Sequence, residues 1–126
     1  MTFYHQQILS LKNKFLLKDH LCEKIINAKR FIDENFSNRI NLDAIATEAC
    51  ISKFHFLRLF KSLYGRTPHQ HLTEIRIEKA KEFLRSGFSV ADTCFLTGFE
   101  SVSSFKALFK KSTRLAPSFY QKRSKL

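Results

Sequence analysis

Large apolar residues recur at helical spacing in two stretches of the chain. The first stretch has four of them at positions i, i+3, i+4 and i+7, namely Phe56, Leu59, Phe60 and Leu63. This spacing predicts an amphipathic helix with all four side chains on its inward face. Ser52 stands before the stripe as an N-cap residue, and Gly65 follows it as a C-terminal stop.

The second stretch repeats the first at an offset of 49 residues, counted from Ser52 to Ser101. Six identities align in the pairs Ser52–Ser101, Phe56–Phe105, Leu59–Leu108, Phe60–Phe109, Lys61–Lys110 and Pro68–Pro117. Because the three apolar identities keep to one helical face, the six together indicate an internal duplication rather than chance similarity. The second copy therefore predicts a helix that is capped by Ser101 and has the same inward stripe.

Each capped helix follows a short helical segment and a tight turn. Residues 41–49 form the segment before the first copy, and residues 89–97 form the segment before the second. Ser89 and Asp92 have the spacing of a capping box at the start of the later segment. A short helix, a tight turn and a second capped helix make up a helix-turn-helix, so the sequence predicts this motif twice.

A longer connector helix is predicted between the two copies. Residues 68–86 read as one helix closed by Gly87, with the pairs Glu78–Lys81 and Glu82–Arg85 on its solvent side. The apolar stripe of this helix consists of Leu72, Ile75, Ala80, Phe83 and Leu84. At 1.5 Å per residue the helix spans about 28 Å, close to the roughly 34 Å between successive major-groove faces on one side of DNA.

The charge balance points to a polyanionic partner. The 126 residues include 22 Lys and Arg against 11 Asp and Glu, a formal net charge of +11, and 44% are hydrophobic, enough for a buried core. No acidic residue stands between Glu48 and Glu74 or after Glu100. Since these two acid-free stretches coincide with the two repeat copies, we expect two basic contact surfaces.

Several classes of protein do not fit the sequence. It lacks a run of about 18 apolar residues that could span a membrane, and residues 1–10 lack the apolar core of a secretory signal. Cys22, Cys50 and Cys94 are odd in number and have no C-x-x-C spacing, which favours a reducing cytoplasm and disfavours a structural zinc site. Cys50 and Cys94 stand in apolar helical contexts, so we expect buried thiols.

No set of catalytic residues stands out. The pair His69-x-His71 lacks a third metal ligand nearby in the sequence, and we expect two surface histidines. There is neither a glycine-rich phosphate loop nor a Ser-His-Asp order. The sequence therefore predicts a protein without cofactor or metal that is not an enzyme.

The motifs together resemble the DNA-binding domain of the AraC family of bacterial transcription regulators. The resemblance covers residues 21–125 and rests on residues 31–36, Leu42-x-x-Ile45-Ala46, Leu59-Phe60-Lys61, Gly65-x-x-Pro68, Arg76-x-x-x-Ala80-x-x-x-Leu84, Gly98-Phe99-Glu100-Ser101, Phe105-x-x-x-Phe109-Lys110 and Pro117-x-x-Tyr120. It implies an all-α fold, a homeodomain-like bundle of seven helices in two helix-turn-helix subdomains. The expected divisions are an N-terminal extension or linker helix at 1–20, the first subdomain at 21–67, the connector helix at 68–86 and the second subdomain at 87–126.

The chain departs from the family pattern at a few positions. Cys50 stands in the first turn where the family usually has glycine, and Arg114 replaces another habitual glycine after the second recognition helix. Thr93, Thr113 and Gln121 replace residues that are more commonly aliphatic, aromatic and basic. None of these positions belongs to the apolar core pattern, so the expected fold is unchanged.

Helical rotation selects the residues that would face DNA. With the stripes inward, 100° per residue turns Arg58 outward, where its two donors can read a guanine edge. Phe54 can instead pack in the core, and Arg58 can instead be a solvated surface residue. The predicted base-reading residues are Phe54, Leu57, Arg58, Val102, Ser103, Lys106 and Ala107. The predicted phosphate contacts are Ser52, Lys53, His55, Lys61, Ser101, Ser104 and Lys110.

The two predicted reading helices are unequal. Ala107 occupies the repeat position of Arg58, so the second helix lacks the bidentate donor of the first. We expect the first helix to carry more base discrimination and the second to rely on phosphate contacts and Lys106.

The first twenty residues predict a short amphipathic helix. Its apolar side consists of Ile8, Leu11 and Phe15, and its polar side carries Lys12, Lys14 and Lys18. This helix fits either a stand-alone regulator, monomeric on DNA, or the linker of a longer regulator that can form a dimer.

The expected function is sequence-specific regulation of transcription through double-stranded promoter DNA, in the cytoplasm and at the nucleoid. RNA polymerase is an expected second partner. The alternatives are an RNA polymerase-binding adaptor and a small basic RNA-binding protein. A membrane-surface helix is disfavoured because the aromatic residues follow buried stripes.

Overall fold

The computed structural model describes the backbone of residues 3–125 and the side chains of residues 19–125. Over this range the chain forms seven α-helices and no strand, which confirms the all-α prediction. The helices are α1 (Phe3–Glu34), α2 (Leu42–Glu48), α3 (Lys53–Tyr64), α4 (Pro68–Arg85), α5 (Val90–Leu96), α6 (Val102–Thr113) and α7 (Pro117–Ser124). Helices α2 and α3 form the first helix-turn-helix, α5 and α6 form the second, and α4 is the connector helix between them.

The N-terminal extension continues into the first subdomain without a break, because α1 runs from Phe3 to Glu34. The division expected at residue 20 therefore falls inside a helix and stays a prediction. The side chains of both predicted sides of the N-terminal helix lie outside the described residues, namely Ile8, Leu11 and Phe15 on the apolar side and Lys12, Lys14 and Lys18 on the polar side.

The predicted caps start both recognition helices, α3 and α6. The Ser52 hydroxyl accepts a hydrogen bond from the His55 N–H at 3.2 Å, and the Ser101 hydroxyl accepts one from the Ser104 N–H at 3.1 Å. Gly65 closes α3 at φ +75°, a left-handed conformation that glycine adopts without a steric penalty. These local signals explain why the recognition helices begin and end where the sequence predicts.

The connector helix contributes to two separate cores. The first core packs α1, α2 and α3 against the start of α4 and consists of Ile25, Ala28, Ile32, Ala46, Phe56, Phe60 and Leu72. The second packs α5 and α6 against the rest of α4 and consists of Ile77, Ala80, Leu84, Cys94, Phe105 and Phe109. Each recognition helix is therefore fixed to the same connector by two buried phenylalanines.

Three details of the predicted faces are wrong. Leu63 is 44% exposed, because Tyr64 takes the inward place and packs on the Phe60 ring at 4.9 Å between centroids. The connector buries Ile77, which the predicted stripe omitted, while Ile75 and Phe83 are only half-buried.

The third detail is an ion pair on α4. Arg85 does not pair with Glu82 but donates to the Tyr120 hydroxyl at 2.7 Å, because α7 packs beside it. Glu82 lies 3.8 Å from Lys79 instead. The other predicted pair, Glu78 with Lys81, is present at 2.9 Å.

Thr93 offers a test of the second core. Within residues 19–125, its Oγ1 is the buried side-chain polar atom without a hydrogen-bond partner. Thr93→Val replaces this hydroxyl by a methyl group, and we expect it to raise the free energy of unfolding by about 1 kcal/mol. Chemical denaturation measures the change.

Thr97 is the matched control for that substitution. Its side chain is equally buried, but its hydroxyl donates to the Thr93 carbonyl oxygen at 2.7 Å. Thr97→Val should therefore lower the free energy of unfolding by about 1 kcal/mol. Loss of stability in both variants would contradict the assignment of Thr93 as an unsatisfied group.

Candidate nucleic-acid interface

The first recognition helix turns its polar face away from the core. Phe56 and Phe60 are fully buried, whereas Phe54 is 73% exposed and Arg58 is exposed on the opposite side. The alternative that Phe54 packs in the core is therefore wrong. Leu57 needs a correction as well, because it is half-buried and packs against the first core rather than facing fully outward.

The remaining residues predicted on the first recognition helix differ in whether they pair with an acidic side chain. Ser52, Lys53, His55 and Lys61 are all exposed, but the Lys53 ammonium lies 3.3 Å from the Asp43 carboxylate. Among the described residues, Arg58 and Lys61 have no acidic partner within ion-pair distance. The free positive charge of this helix therefore belongs to Arg58 and Lys61.

The second recognition helix presents the matching face. Phe105 and Phe109 are buried, and the predicted contact residues are all exposed, namely Ser101, Val102, Ser103, Ser104, Lys106, Ala107 and Lys110. No acidic side chain of the described residues pairs with Lys106 or Lys110. Ala107 leaves a bare methyl group at the repeat position of Arg58, so this face holds lysines but no guanidinium.

The turns of the two motifs share a left-handed residue but differ in length. Cys50 has φ +59° in the first turn and Gly98 has φ +86° in the second. Residues 49–51 separate α2 from the Ser52 cap, whereas residues 97–100 separate α5 from the Ser101 cap. The second turn is therefore one residue longer.

Of the two cysteines predicted to be buried, one is exposed. Cys50 lies in the turn itself, and its side chain points to solvent rather than into a helix interface. Cys94 is buried as predicted, and burial raises the pKa of its thiol. Arg114, the other residue that stands where the family usually has glycine, also adopts a left-handed conformation at φ +66° where it ends α6.

His71 is not a surface residue. It is 3% exposed and packs against the Phe60 ring at a tilt of 54°, while its Nε2 lies 2.7 Å from the Asp33 carboxylate. The Arg66 guanidinium donates to Nδ1, at 3.0 Å from Nε and 2.7 Å from Nη2. Because a guanidinium only donates, Nδ1 accepts and Nε2–H donates to Asp33. His71 thereby ties α1, the end of the α3–α4 loop and α4 together.

This network makes stability sensitive to acid. Burial tends to raise the pKa of Asp33, but hydrogen bonds from Lys29 and His71 outweigh it and hold the pKa below its usual value. A lowered pKa contributes stability that is present above the ordinary value and is lost as the pH falls. We therefore expect the stability advantage of wild type over Asp33→Asn to be constant above about pH 5 and to shrink as the pH falls below the ordinary aspartate value of 3.8.

Denaturant unfolding at several pH values measures that advantage, with Asp92→Asn as the control. Asp92 is an exposed carboxylate in the first turn of α5 and has no histidine partner among the described hydrogen bonds. An Asp33→Asn deficit that is constant across the pH range would contradict the role of Asp33.

Sequence reasoning missed the residues that join the two subdomains. Arg76 donates to the Phe36 carbonyl oxygen at 2.7 Å and to the Asn38 carbonyl oxygen at 3.0 Å. Gly98 lies against the backbone of Ser37. Both Arg76 and Gly98 occur in the family motifs, which was the available signal, but spacing along the chain did not reveal what they contact.

Within the described residues, no group of three or more His, Cys, Asp or Glu side chains is placed to hold a metal ion. None of the helices in that part of the chain is both long enough and apolar enough to cross a membrane.

Known proteins share this architecture. The family model for a helix-turn-helix domain matches residues 45–123. The MmsAB operon regulatory protein of Pseudomonas aeruginosa is 36% identical over 94 residues, which are 74% of this chain and 31% of that protein. An uncharacterized HTH-type transcriptional regulator in the cgkA 5' region of Pseudoalteromonas carrageenovora is 32% identical over 96 residues, 76% of this chain and 57% of that protein. The chain thus spans less than two thirds of these relatives.

A solved structure gives the same result for the fold. The C-terminal domain of AraT, a response regulator from Geobacillus stearothermophilus, matches with a TM-score of 0.75 at 26% identity, over 79% of this chain and 84% of that one. The match in structure confirms the double helix-turn-helix fold, and the match in sequence covers most of it. This chain belongs to the AraC family of helix-turn-helix transcription regulators.

Proposed function

We propose that the chain is the sequence-specific DNA-binding unit of a bacterial transcription regulator, with α3 and α6 in successive major grooves of double-stranded promoter DNA. The observation that carries this proposal is the shared architecture of the two faces. Each recognition helix anchors two buried phenylalanines and exposes unpaired cations, and one connector of 18 residues, about 27 Å long, holds both. The activity is binding rather than catalysis.

The exposed side chains have distinct proposed roles. Arg58 reads a guanine edge, because its free guanidinium can donate two parallel hydrogen bonds. Phe54 contacts thymine methyl groups or sugars, since its apolar ring is 73% exposed on the same helix as Arg58. Lys61 and Lys110 contact phosphates. Ser52 and Ser101 also contact phosphates while they cap their helices. Lys53 contacts a phosphate after its ion pair with Asp43 breaks.

The finer parts of the proposal concern partners and location. The regulator acts in the cytoplasm at the nucleoid, and RNA polymerase is its second partner. The exposed Phe95, which lies on α5 outside the recognition helix, supports a protein partner in addition to DNA.

Duplex DNA selected from a random library provides the test. Fluorescence anisotropy measures binding of the selected duplex and of a scrambled duplex at two salt concentrations. We expect the selected duplex to bind at least about 10³-fold more tightly, with a strong decrease in affinity as salt rises. Weak binding without sequence preference, or tighter binding to single-stranded RNA, would instead favour the adaptor or the RNA-binding alternative.

Lys110→Ala refines the test. It should weaken binding to both duplexes similarly. It should also reduce the slope of log affinity against log salt concentration by about one, as expected for one lost phosphate contact. Lys81→Ala removes the same charge from the connector helix and is the matched control, because Lys81 pairs with Glu78 away from both faces.

A further inference from the structure

The turn after α1 touches the turn of the second helix-turn-helix. A Cβ atom added to Gly98 would lie 2.8 Å from the Ser37 carbonyl oxygen and 3.0 Å from that of Phe36. Such distances are shorter than van der Waals contact, so only glycine allows the two backbones to meet here. The first and second subdomains therefore touch directly, and not only through the connector.

Arg76 strengthens this contact from the middle of the connector. Its guanidinium donates to the carbonyl oxygens of Phe36 and Asn38 and lies 5.9 Å over the ring of Phe99. Phe36 packs against the first core and Phe99 against the second. A single side chain thus binds the backbone of one subdomain and an aromatic ring of the other.

Two further interactions lie beside Arg76, one through Glu100 and one through Lys79. Burial lowers the pKa of its guanidinium, and the nearby Glu100 carboxylate acts in the opposite direction by favouring the charged form. Lys79, one turn along the connector, lies 5.8 Å over the Phe36 ring. Each of these interactions crosses the boundary between α4 and one of the two facing turns.

We infer that Arg76, Gly98 and residues 36–38 form a clamp that fixes the relative orientation of the two recognition helices and thereby sets the half-site spacing that the chain accepts. The inference rests on the proposed function. A connector helix alone leaves two subdomains free to rock about it, which is the default for small interfaces. The clamp adds a second attachment to the side of the connector and removes that freedom.

Spacing is a demanding criterion for a rigid reader. One extra base pair moves a half-site by about 3.4 Å along the DNA axis and by about 35° around it. A fixed pair of recognition helices reaches both half-sites only if the DNA deforms, which weakens binding. A protein that can rock follows the displaced half-site with a smaller loss.

The distance between the recognition helices in the free protein tests the clamp directly. Spin labels are attached at Ser62→Cys on α3 and Lys111→Cys on α6, two exposed positions that are related by the repeat and lie outside the proposed DNA contacts. Cys22→Ala and Cys50→Ser remove two of the native cysteines from this background. We expect a single narrow distance distribution in this background and a clearly broader one after Arg76→Ala. Arg76→Lys keeps the charge but not the two-carbonyl contact and should also broaden it, whereas Lys81→Ala should not.

Binding to spaced duplexes gives the functional readout. On the selected duplex with one base pair inserted between the half-sites, the unmodified chain should lose about tenfold in affinity or more, and Arg76→Ala should lose less than about threefold. Circular dichroism confirms that each variant is helical before it is measured.

The two readouts separate this inference from the proposed function. A folded Arg76→Ala variant with the same narrow distance distribution as its parent would overturn the clamp. If the unmodified chain showed no preference for any selected duplex, the proposed function would fail, while the distances in the free protein would still judge the clamp.

Discussion

Gly98→Ala is expected to lower the free energy of unfolding by about 2–5 kcal/mol, although it adds only one methyl group. Two penalties add at this position. The left-handed conformation at φ +86° costs an L-residue about 1–2 kcal/mol. The new Cβ would also overlap the Ser37 carbonyl oxygen, and backbone on both sides would have to move to relieve the overlap.

Gly65→Ala isolates the first penalty. Gly65 has φ +75°, but no atom other than those of Gly65 and its two chain neighbours lies within 4 Å of the position that its Cβ would take. We therefore expect Gly65→Ala to cost only about 1–2 kcal/mol. Chemical denaturation of both variants gives the difference, and equal losses would mean that the contact between the two turns is not tight.

Cys50 and Arg114 show that this chain tolerates left-handed residues other than glycine. Both have positive φ values in the described part of the chain, at turns where the family usually has glycine. The conformation alone is therefore not what requires glycine at position 98. Its close approach to residues 36–37 distinguishes that position from the other turns.

Local patterns predicted the elements of this fold well. The spacing of Phe56 and Phe60 gave the buried face of α3, and Ser52 gave its first turn, because both depend on residues within one or two helical turns. The same reasoning applied to α6 through the repeat. The order of the helices, the connector and the exposed position of Arg58 could therefore be predicted from the sequence.

Long-range contacts could not be predicted in this way. His71 is buried because Asp33, 38 positions earlier, accepts the hydrogen bond from its Nε2–H, and neither residue indicates the other in the sequence. Arg76 finds its carbonyl partners 38 and 40 positions away. A helical period indicates which side of a helix faces inward. It does not indicate which polar group from a distant part of the chain will bind a side chain on that side.

The interface combines both cases. Phe54 was correctly placed outward by rotation from the stripe, whereas Leu57, only three residues later, is shared between the surface and the first core. Assigning faces by a rotation of 100° per residue assumes that the core covers only one side of the helix. The actual first core wraps further around α3, because α1, α2 and α4 all pack against that helix.

The two recognition helices differ in the chemistry of their free cations. α3 offers a guanidinium at Arg58, and α6 offers the ammonium groups of Lys106 and Lys110. A guanidinium matches the paired acceptors of a guanine edge, whereas an ammonium acts as a compact point charge. The first helix should therefore contribute more to specificity, and the second more to affinity that is independent of sequence.

Arg58→Ala is the sharpest test of that difference. We expect it to weaken binding to the selected duplex by about 1–3 kcal/mol, or about 5- to 150-fold, and to relax the preference at one base pair. Binding to the scrambled duplex should fall only by the small amount that one lost charge produces. Parallel anisotropy titrations of both duplexes at one salt concentration measure the two losses.

Ala107→Arg makes the converse change at the repeat position. It adds a guanidinium to α6, so new rounds of selection with this variant should return a stronger preference in the second half-site, while the first half-site stays as it was. Lys106→Ala is the matched loss on the same helix and should affect that half-site alone. If Arg58→Ala instead weakened binding to the selected and the scrambled duplex equally, Arg58 would be a phosphate contact. Base discrimination would then have to come from Phe54 and the residues beside it.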